Sequence, residues 1–237
     1  MGEYSTQQVN HDSSSETNAK FSTELARHNM VEQQIRPWNV LDNRVLDLMA
    51  SVPRDKFIDE PYQALAYSDM PIPLGHSQFT MPPREEARML QALNIQSSDI
   101  VLEIGTGCGY CSALLANQAH KVYSVEIIEE FLQKAEAITQ QLGLENIIFE
   151  EGDASTGWPH YKPYDVIAIM GGFFQVPESY KRSLQIGGRL FCIEGQEHLM
   201  QAKLITRLSE DEWHEQNLYE TQIGLLINAK RAQQFIF

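Results

Sequence analysis

The chain has 237 residues, 43% apolar and 21% charged, the composition of a globular protein that can bury an ordinary core. Its 18 basic residues stand against 32 acidic ones, a net charge of −14 without clustered Lys or Arg, which excludes a nucleic-acid partner. No 18-residue apolar run exists to span a membrane, and the start MGEYSTQQVN lacks a basic, apolar signal, so a cytoplasmic protein is expected.

Residues 1–21 are rich in Ser, Gln, Asn and Glu and read as a disordered or arm-like N-terminus. A second segment, 22–83, reads as N-terminal helices followed by an active-site loop. Thr23–Ile35 has helical character and should stop before Pro37, because a residue preceding proline is pushed out of the helical region. Asp42 is placed to cap a helix that sets Val45, Leu46, Met49 and Val52 on one face before Pro53 ends it. Proline-rich Arg54–Pro83 reads as a long loop with short strands, and loops of that length are usually functional.

The third segment, 84–237, alternates helix and strand. Arg84–Leu93 is helical and Ile100–Ile104 (IVLEI) is an apolar run suited to a buried parallel strand. A helix from Tyr110, the strand Lys121–Val125 and a helix Glu129–Leu142 follow, with Gly143 as the left-handed residue that ends it. Asn146–Glu150, Asp165–Ile169 and Gly188–Ile193 supply further strands. AKLITRL (Ala202–Leu208) and TQIGLLIN (Thr221–Asn228) read as an antiparallel pair joined by polar SEDEWHEQ. The expected fold is α/β and Rossmann-like: a doubly wound, mostly parallel seven-stranded sheet with a terminal antiparallel hairpin and an N-terminal helical extension.

Gly105, Gly107 and Gly109 lie between an apolar strand and a helix, the context of a nucleotide-binding turn. Their G-x-G-x-G spacing favours an S-adenosylmethionine turn over the G-x-G-x-x-G cradle of a dinucleotide enzyme. At the end of the next strand Glu126 is placed to accept hydrogen bonds from ribose hydroxyls. Asp153, after the strand beyond, is placed to bind the exocyclic amine of adenine. Glu103, inside the first strand, is costly to bury without a partner and is expected to orient the turn or the cofactor's ammonium group. Cys108 and Cys111 have a metal-like spacing but no second pair, so no metal site is expected.

MVEQQIR (Met30–Arg36), VLDLMASVPRDKF (Val45–Phe57), AYSDMPIPLGH (Ala66–His76), VLEIGTGCGY (Val101–Tyr110) and GGRL (Gly187–Leu190) together resemble the bacterial protein-L-isoaspartate (D-aspartate) O-methyltransferases. The resemblance implies a class I methyltransferase that esterifies isoaspartyl carboxylates of damaged proteins, converting S-adenosyl-L-methionine to S-adenosyl-L-homocysteine. Matching positions give a cofactor set of Gln78, Glu103, Gly105, Thr106, Gly107, Gly109, Glu126, Ile127, Asp153 and Ala154. The family's G-Q-T-I-S-Q-P element reads Ser77-Gln78-Phe79-Thr80-Met81-Pro82-Pro83 here. Met81 thus occupies the place of the serine assigned to catalysis, and Thr80 is the neighbouring hydroxyl, a catalytic candidate or a helix cap. Phe173 and Phe174 replace small residues and either reshape the acceptor pocket or join the core. Glu194 puts a carboxylate near the sheet's carboxyl end, where it would repel an anionic acceptor. Besides isoaspartyl transfer to a protein or peptide carboxylate, the motifs fit a methyltransferase with another acceptor, including a small molecule, and a non-catalytic S-adenosylmethionine-binding protein.

Overall fold

Residues 22–196 and 199–230 are described by the computed structural model, so the arm expected over 1–21 lies outside the described residues. A helix over 22–29 (α1) widens into a π-helical turn, Met30–Ile35, and tightens into a 3-10 turn, Arg36–Trp38. The expected stop before Pro37 does not occur. Arg36 stays helical at φ −56° and ψ −43°, its guanidinium held by Glu32 at 2.9 Å, and the chain turns only at left-handed Asn39. Pro37 is tolerated because it opens a new turn, where its missing N–H has no role to fill. Asp42 caps α2 (Asn43–Ser51) as expected, accepting from the Arg44 amide at 2.9 Å, and Val45, Leu46 and Met49 are buried.

The stretch 54–83 is more ordered than the expected loop. It holds 3-10 turns at Arg54–Phe57 and Glu60–Leu65 and a small hairpin of β1 (Pro73–Gly75) and β2 (Gln78–Phe79). His76 and Ser77 link these strands with both φ angles positive, as a two-residue turn matching strand twist requires. Then follow α3 (Pro83–Leu93), β3 (Ile100–Ile104), α4 (Tyr110–Ala116), β4 (Lys121–Glu126), α5 (Glu129–Gln141), β5 (Ile147–Glu151), β6 (Tyr164–Phe173), α6 (Glu178–Arg182), β7 (Leu184–Gln196), β8 (Leu199–Arg207) and β9 (Trp213–Thr221). The seven-stranded sheet runs β5-β4-β3-β6-β7-β8-β9, parallel through β7, with β8 and β9 antiparallel.

The terminal pair departs from expectation. Its second strand is Trp213–Thr221, most of it in or beyond the stretch read as a connector. An edge strand has one solvated side, so its polar residues are compatible with pairing. The apolar run after it leaves the edge and crosses the carboxyl ends of the strands. Gly172 donates to the Gly224 carbonyl at 2.8 Å and Leu226 donates back to Gly172 at 2.9 Å.

Side chains alternate across the sheet with period two. Val101, Val166, Ala168, Phe191 and Ile193 face a core built with α2, α3 and α4. Leu102, Ile104, Ile167, Ile169, Leu190 and Cys192 face a second core with Tyr164 and Tyr180. Glu103, between Leu102 and Ile104, therefore points toward the side of the sheet that carries α4.

Candidate functional site

The glycine turn leaves β3 and enters α4. Gly105 donates to the Val125 carbonyl and Gly107 to Glu126 Oε2, both at 2.9 Å. The other oxygen, Glu126 Oε1, accepts from the Ile127 and Ile128 amides at 2.8 and 3.0 Å. Glu126 thus ties the turn to the end of β4, a role beyond the ribose contact inferred from its position. Gly109 is required by packing: at φ 85°, a Cβ there would lie 2.6 Å from the Cβ of Ala135 on α5.

Glu103 lies beneath this turn. Fully buried, it accepts at Oε2 from Ser112 Oγ of α4 at 2.5 Å and Ser124 Oγ of β4 at 2.6 Å. Ser124 also meets Thr106 Oγ1 at 2.6 Å, while Glu103 Oε1 has no partner. Burial pushes the Glu103 carboxyl up to about 7, against the pull of the two serine hydroxyls.

A cleft of about 550 Å³, within the range of small-molecule sites, opens above the turn. Gly105, Thr106, Gly107, Glu126 and Ile127 form one wall, and Gln78 stands on the other. Asp153 and Ala154 line an adjoining hollow with Ile127. Asp153 Oδ1 accepts from the Ser155 amide at 2.8 Å and Oδ2 from Asn228 Nδ2 at 2.9 Å, contacts that hold its carboxyl below the usual range. Eight of the ten predicted cofactor residues therefore line the two cavities, whereas Gly109 and Glu103 stand behind the wall and shape it. The tail from Gln222 to Ile227 also lines the cleft, with Leu226 against the Cβ side of Gly105. Its apolar GLLI run has the pattern of a strand, yet it lines the cleft instead of joining the sheet.

On the far wall, Thr80 does not cap α3, whose cap position is Pro82. Its backbone N–H donates to the Ile72 carbonyl at 2.9 Å, and its Oγ1 accepts from the Ile72 amide at 3.0 Å. That occupies an acceptor lone pair and leaves the hydroxyl proton for the cleft. Met81 is a core residue, 4% exposed, whose carbonyl accepts from Arg54 Nη2 at 2.9 Å. Arg54 is fully buried, pairs with Glu86 of the cleft wall and stacks over the Tyr110 ring at 4.8 Å. Burial pushes Glu86 up to about 7 even with Arg54 drawing it down. Glu85, also on the wall, takes the Thr221 hydroxyl at 2.9 Å on each oxygen.

An expectation about Glu194 is corrected, and the choice left open for the two phenylalanines is decided. Glu194 does not face the cleft: it pairs with Lys203 at 2.5 Å and accepts from the Val176 amide at 3.0 Å, so its charge is neutralised. Phe173 joins the second core beside Tyr180, and Phe174 is half-buried away from the cleft. Cys108 and Cys111 are free thiols on the wall. Burial pushes both upward, the first to about 11, so neither is a ready thiolate.

Residues 25–224 match the family described as protein-L-isoaspartate(D-aspartate) O-methyltransferase. A curated relative of that name from Rhodopseudomonas palustris is 40% identical over 206 residues, covering 86% of this chain and 94% of the relative. Protein-L-isoaspartate O-methyltransferase 2 of Pelobacter propionicus is 38% identical over 208 residues, covering 87% and 92%. A solved protein-L-isoaspartate O-methyltransferase superposes with a TM-score of 0.71 at 24% identity, which establishes the shared fold. That match covers 84% of this chain and 65% of the solved one, so this chain spans about two thirds of it.

Proposed function

The chain belongs to the protein-L-isoaspartate(D-aspartate) O-methyltransferase family, and from that premise we propose that it methylates isoaspartyl carboxylates of damaged proteins at the cleft above the Gly105–Gly109 turn. The supporting observation is the convergence of that turn, Glu126 and Asp153 from three successive strand ends on adjoining cavities. The residues fit the cofactor. Gly107 at φ 54° puts no side chain into a wall where a Cβ would lie 3.3 Å from Leu74, and Glu126 and Asp153 offer carboxylates for polar groups. When bound, S-adenosylmethionine supplies an electrophilic methyl group and departs as a neutral thioether.

An ionised acceptor carboxylate needs little activation toward such a methyl group, so the chain's task is placement. Thr80 is the residue we assign to it: its hydroxyl proton is free to hold one carboxylate oxygen while the other faces the methyl group. Glu126 and the turn amides fix the donor side, and the tail residues Leu225 and Leu226 exclude water from it. We regard 22–83 as the acceptor-side extension of a cofactor core at 84–237, since Gln78 and Thr80 come from the first and the glycine turn from the second. No described helix is long and apolar enough to cross a membrane. Free thiols at Cys108, Cys111 and Cys192 fit a reducing, cytoplasmic setting.

The test pairs titration calorimetry with methyl transfer to an isoaspartyl peptide. Binding of S-adenosylhomocysteine is expected and should weaken at least tenfold in Asp153→Ala, which removes a charge-assisted hydrogen bond. Thr80→Val should lower kcat roughly tenfold or more while leaving that binding intact, and Thr80→Ser should restore it. Full turnover by Thr80→Val would remove Thr80 from the mechanism, and absence of transfer by the wild type would overturn the isoaspartyl acceptor.

A further inference from the structure

The described residues that line the cleft include three carboxylates, Glu85, Glu86 and Glu126, and no Lys, Arg or His. Two of the three are accounted for. Glu126 accepts from the amides of Gly107, Ile127 and Ile128 and faces the cofactor side, and Glu86 is paired from behind with Arg54. Glu85 differs. It is 7% exposed, and both of its oxygens accept from the same neutral hydroxyl, that of Thr221. Its chain neighbour Arg84 is committed to Asp69. No described ion pair reaches Glu85, although the Arg84 charge draws its carboxyl down from a distance.

A carboxylate withdrawn from water costs free energy that a hydroxyl only partly offsets, and a cation brought to it restores the balance. The rest of the mouth offers no competing charge. Phe79, 58% exposed, together with Pro71, Leu74 and Ile223, gives it an apolar rim. An acceptor arriving there meets apolar surface and Glu85, a carboxylate whose described side-chain partner is one neutral hydroxyl.

We propose that Glu85 selects acceptors by charge: the cleft takes peptides in which a lysyl or arginyl side chain lies beside the methylated carboxylate, and rejects those with an acidic neighbour. This rests on the isoaspartyl reading above and adds to it which isoaspartyl sites are used. Desolvation raises the Glu85 carboxyl, and a cationic neighbour would draw it back down, so binding of such a peptide favours the ionised form. Glu85 acts on recognition, not on the methyl transfer.

The test uses two isoaspartyl hexapeptides that differ only in Lys or Glu following the isoaspartyl residue. Their dissociation constants are measured calorimetrically on the wild-type protein loaded with S-adenosylhomocysteine. The lysyl peptide should bind about tenfold or more tightly at low salt, with the ratio shrinking as ionic strength rises. Glu85→Gln, nearly isosteric, should bring the ratio close to one, whereas Thr221→Val, which keeps the charge, should preserve it. Equal binding of both peptides to the wild type, failure of both to bind, or an undiminished ratio in Glu85→Gln would overturn the proposal. Methyl transfer is scored separately with S-adenosylmethionine. Charge discrimination in binding without transfer overturns the isoaspartyl reading and leaves the selection by Glu85 standing.

Discussion

Replacing Arg54 by Met strands Glu86 in the interior. The two side chains are 0% and 2% exposed, so neither charge can turn to solvent when its partner is lost. Breaking a buried pair from one side costs about 3–5 kcal/mol, and the unpaired Met81 carbonyl adds roughly 1 kcal/mol. Against a typical total of about 5–15 kcal/mol, Arg54→Met should lose a large share of its stability. Arg54→Met/Glu86→Leu removes both charges and fills the space, and should return to within about 2 kcal/mol of the wild type. The cost of the single substitution also depends on pH. Glu86 is already lifted from 4.5 to about 7, so its contribution is fully present below 4.5 and is lost as pH rises through 7. Without Arg54 the carboxyl rises further, so Arg54→Met should be hit harder at pH 8 than at pH 6. Urea unfolding of the wild type, the single and the double variant at both pH values measures this. A double variant no more stable than Arg54→Met would refute the electrostatic account and leave lost packing around Tyr110 as the cause.

Glu103 gives a second pH dependence of the same sign. With its carboxyl raised from 4.5 to about 7, ionisation should withdraw about 2 kcal/mol of stability between pH 5.5 and 8. Glu103→Gln should flatten that part of the stability profile, and an unchanged slope in urea unfolding would show that Glu103 does not titrate there. Gly109→Ala should destabilise by several kcal/mol, because the Cβ meets Ala135 on a neighbouring helix and φ is 85°. A melting temperature within about 2 °C of wild type would mean that α5 yields easily.

Much of the donor side was readable from the chain because each feature is local. IVLEI followed by G-x-G-x-G names a buried strand, a turn and a helix start without long-range knowledge, and Glu126 and Asp153 were located by counting strand ends. The acceptor side was less legible, because its chemistry depends on which side chains meet across the fold. Thr80, two residues before Pro82, looks like a helix cap until Ile72, eight positions earlier, accepts from its amide and donates to its hydroxyl oxygen. Glu194 looks like an exposed anion until antiparallel pairing of β7 with β8 brings Lys203 beside it.

The sequence by itself determined the fold class and the glycine turn, since hydrophobic period and glycine spacing act within a few residues of chain, and its motifs carried the resemblance to the family. Only the tertiary structure decided where the final apolar segment goes. GLLI satisfies the pattern of a strand, but the place beside β8 is filled by WHEQNLYET as β9. The tail was left to cover the carboxyl ends of the strands, where Leu226 meets Gly105 and Gly171. The same is true of the charge in the cleft. Arg54, Glu86 and Glu85 lie on two separate turns of chain, and burial fixed which carboxylate gained a cation and which was left to a neutral hydroxyl.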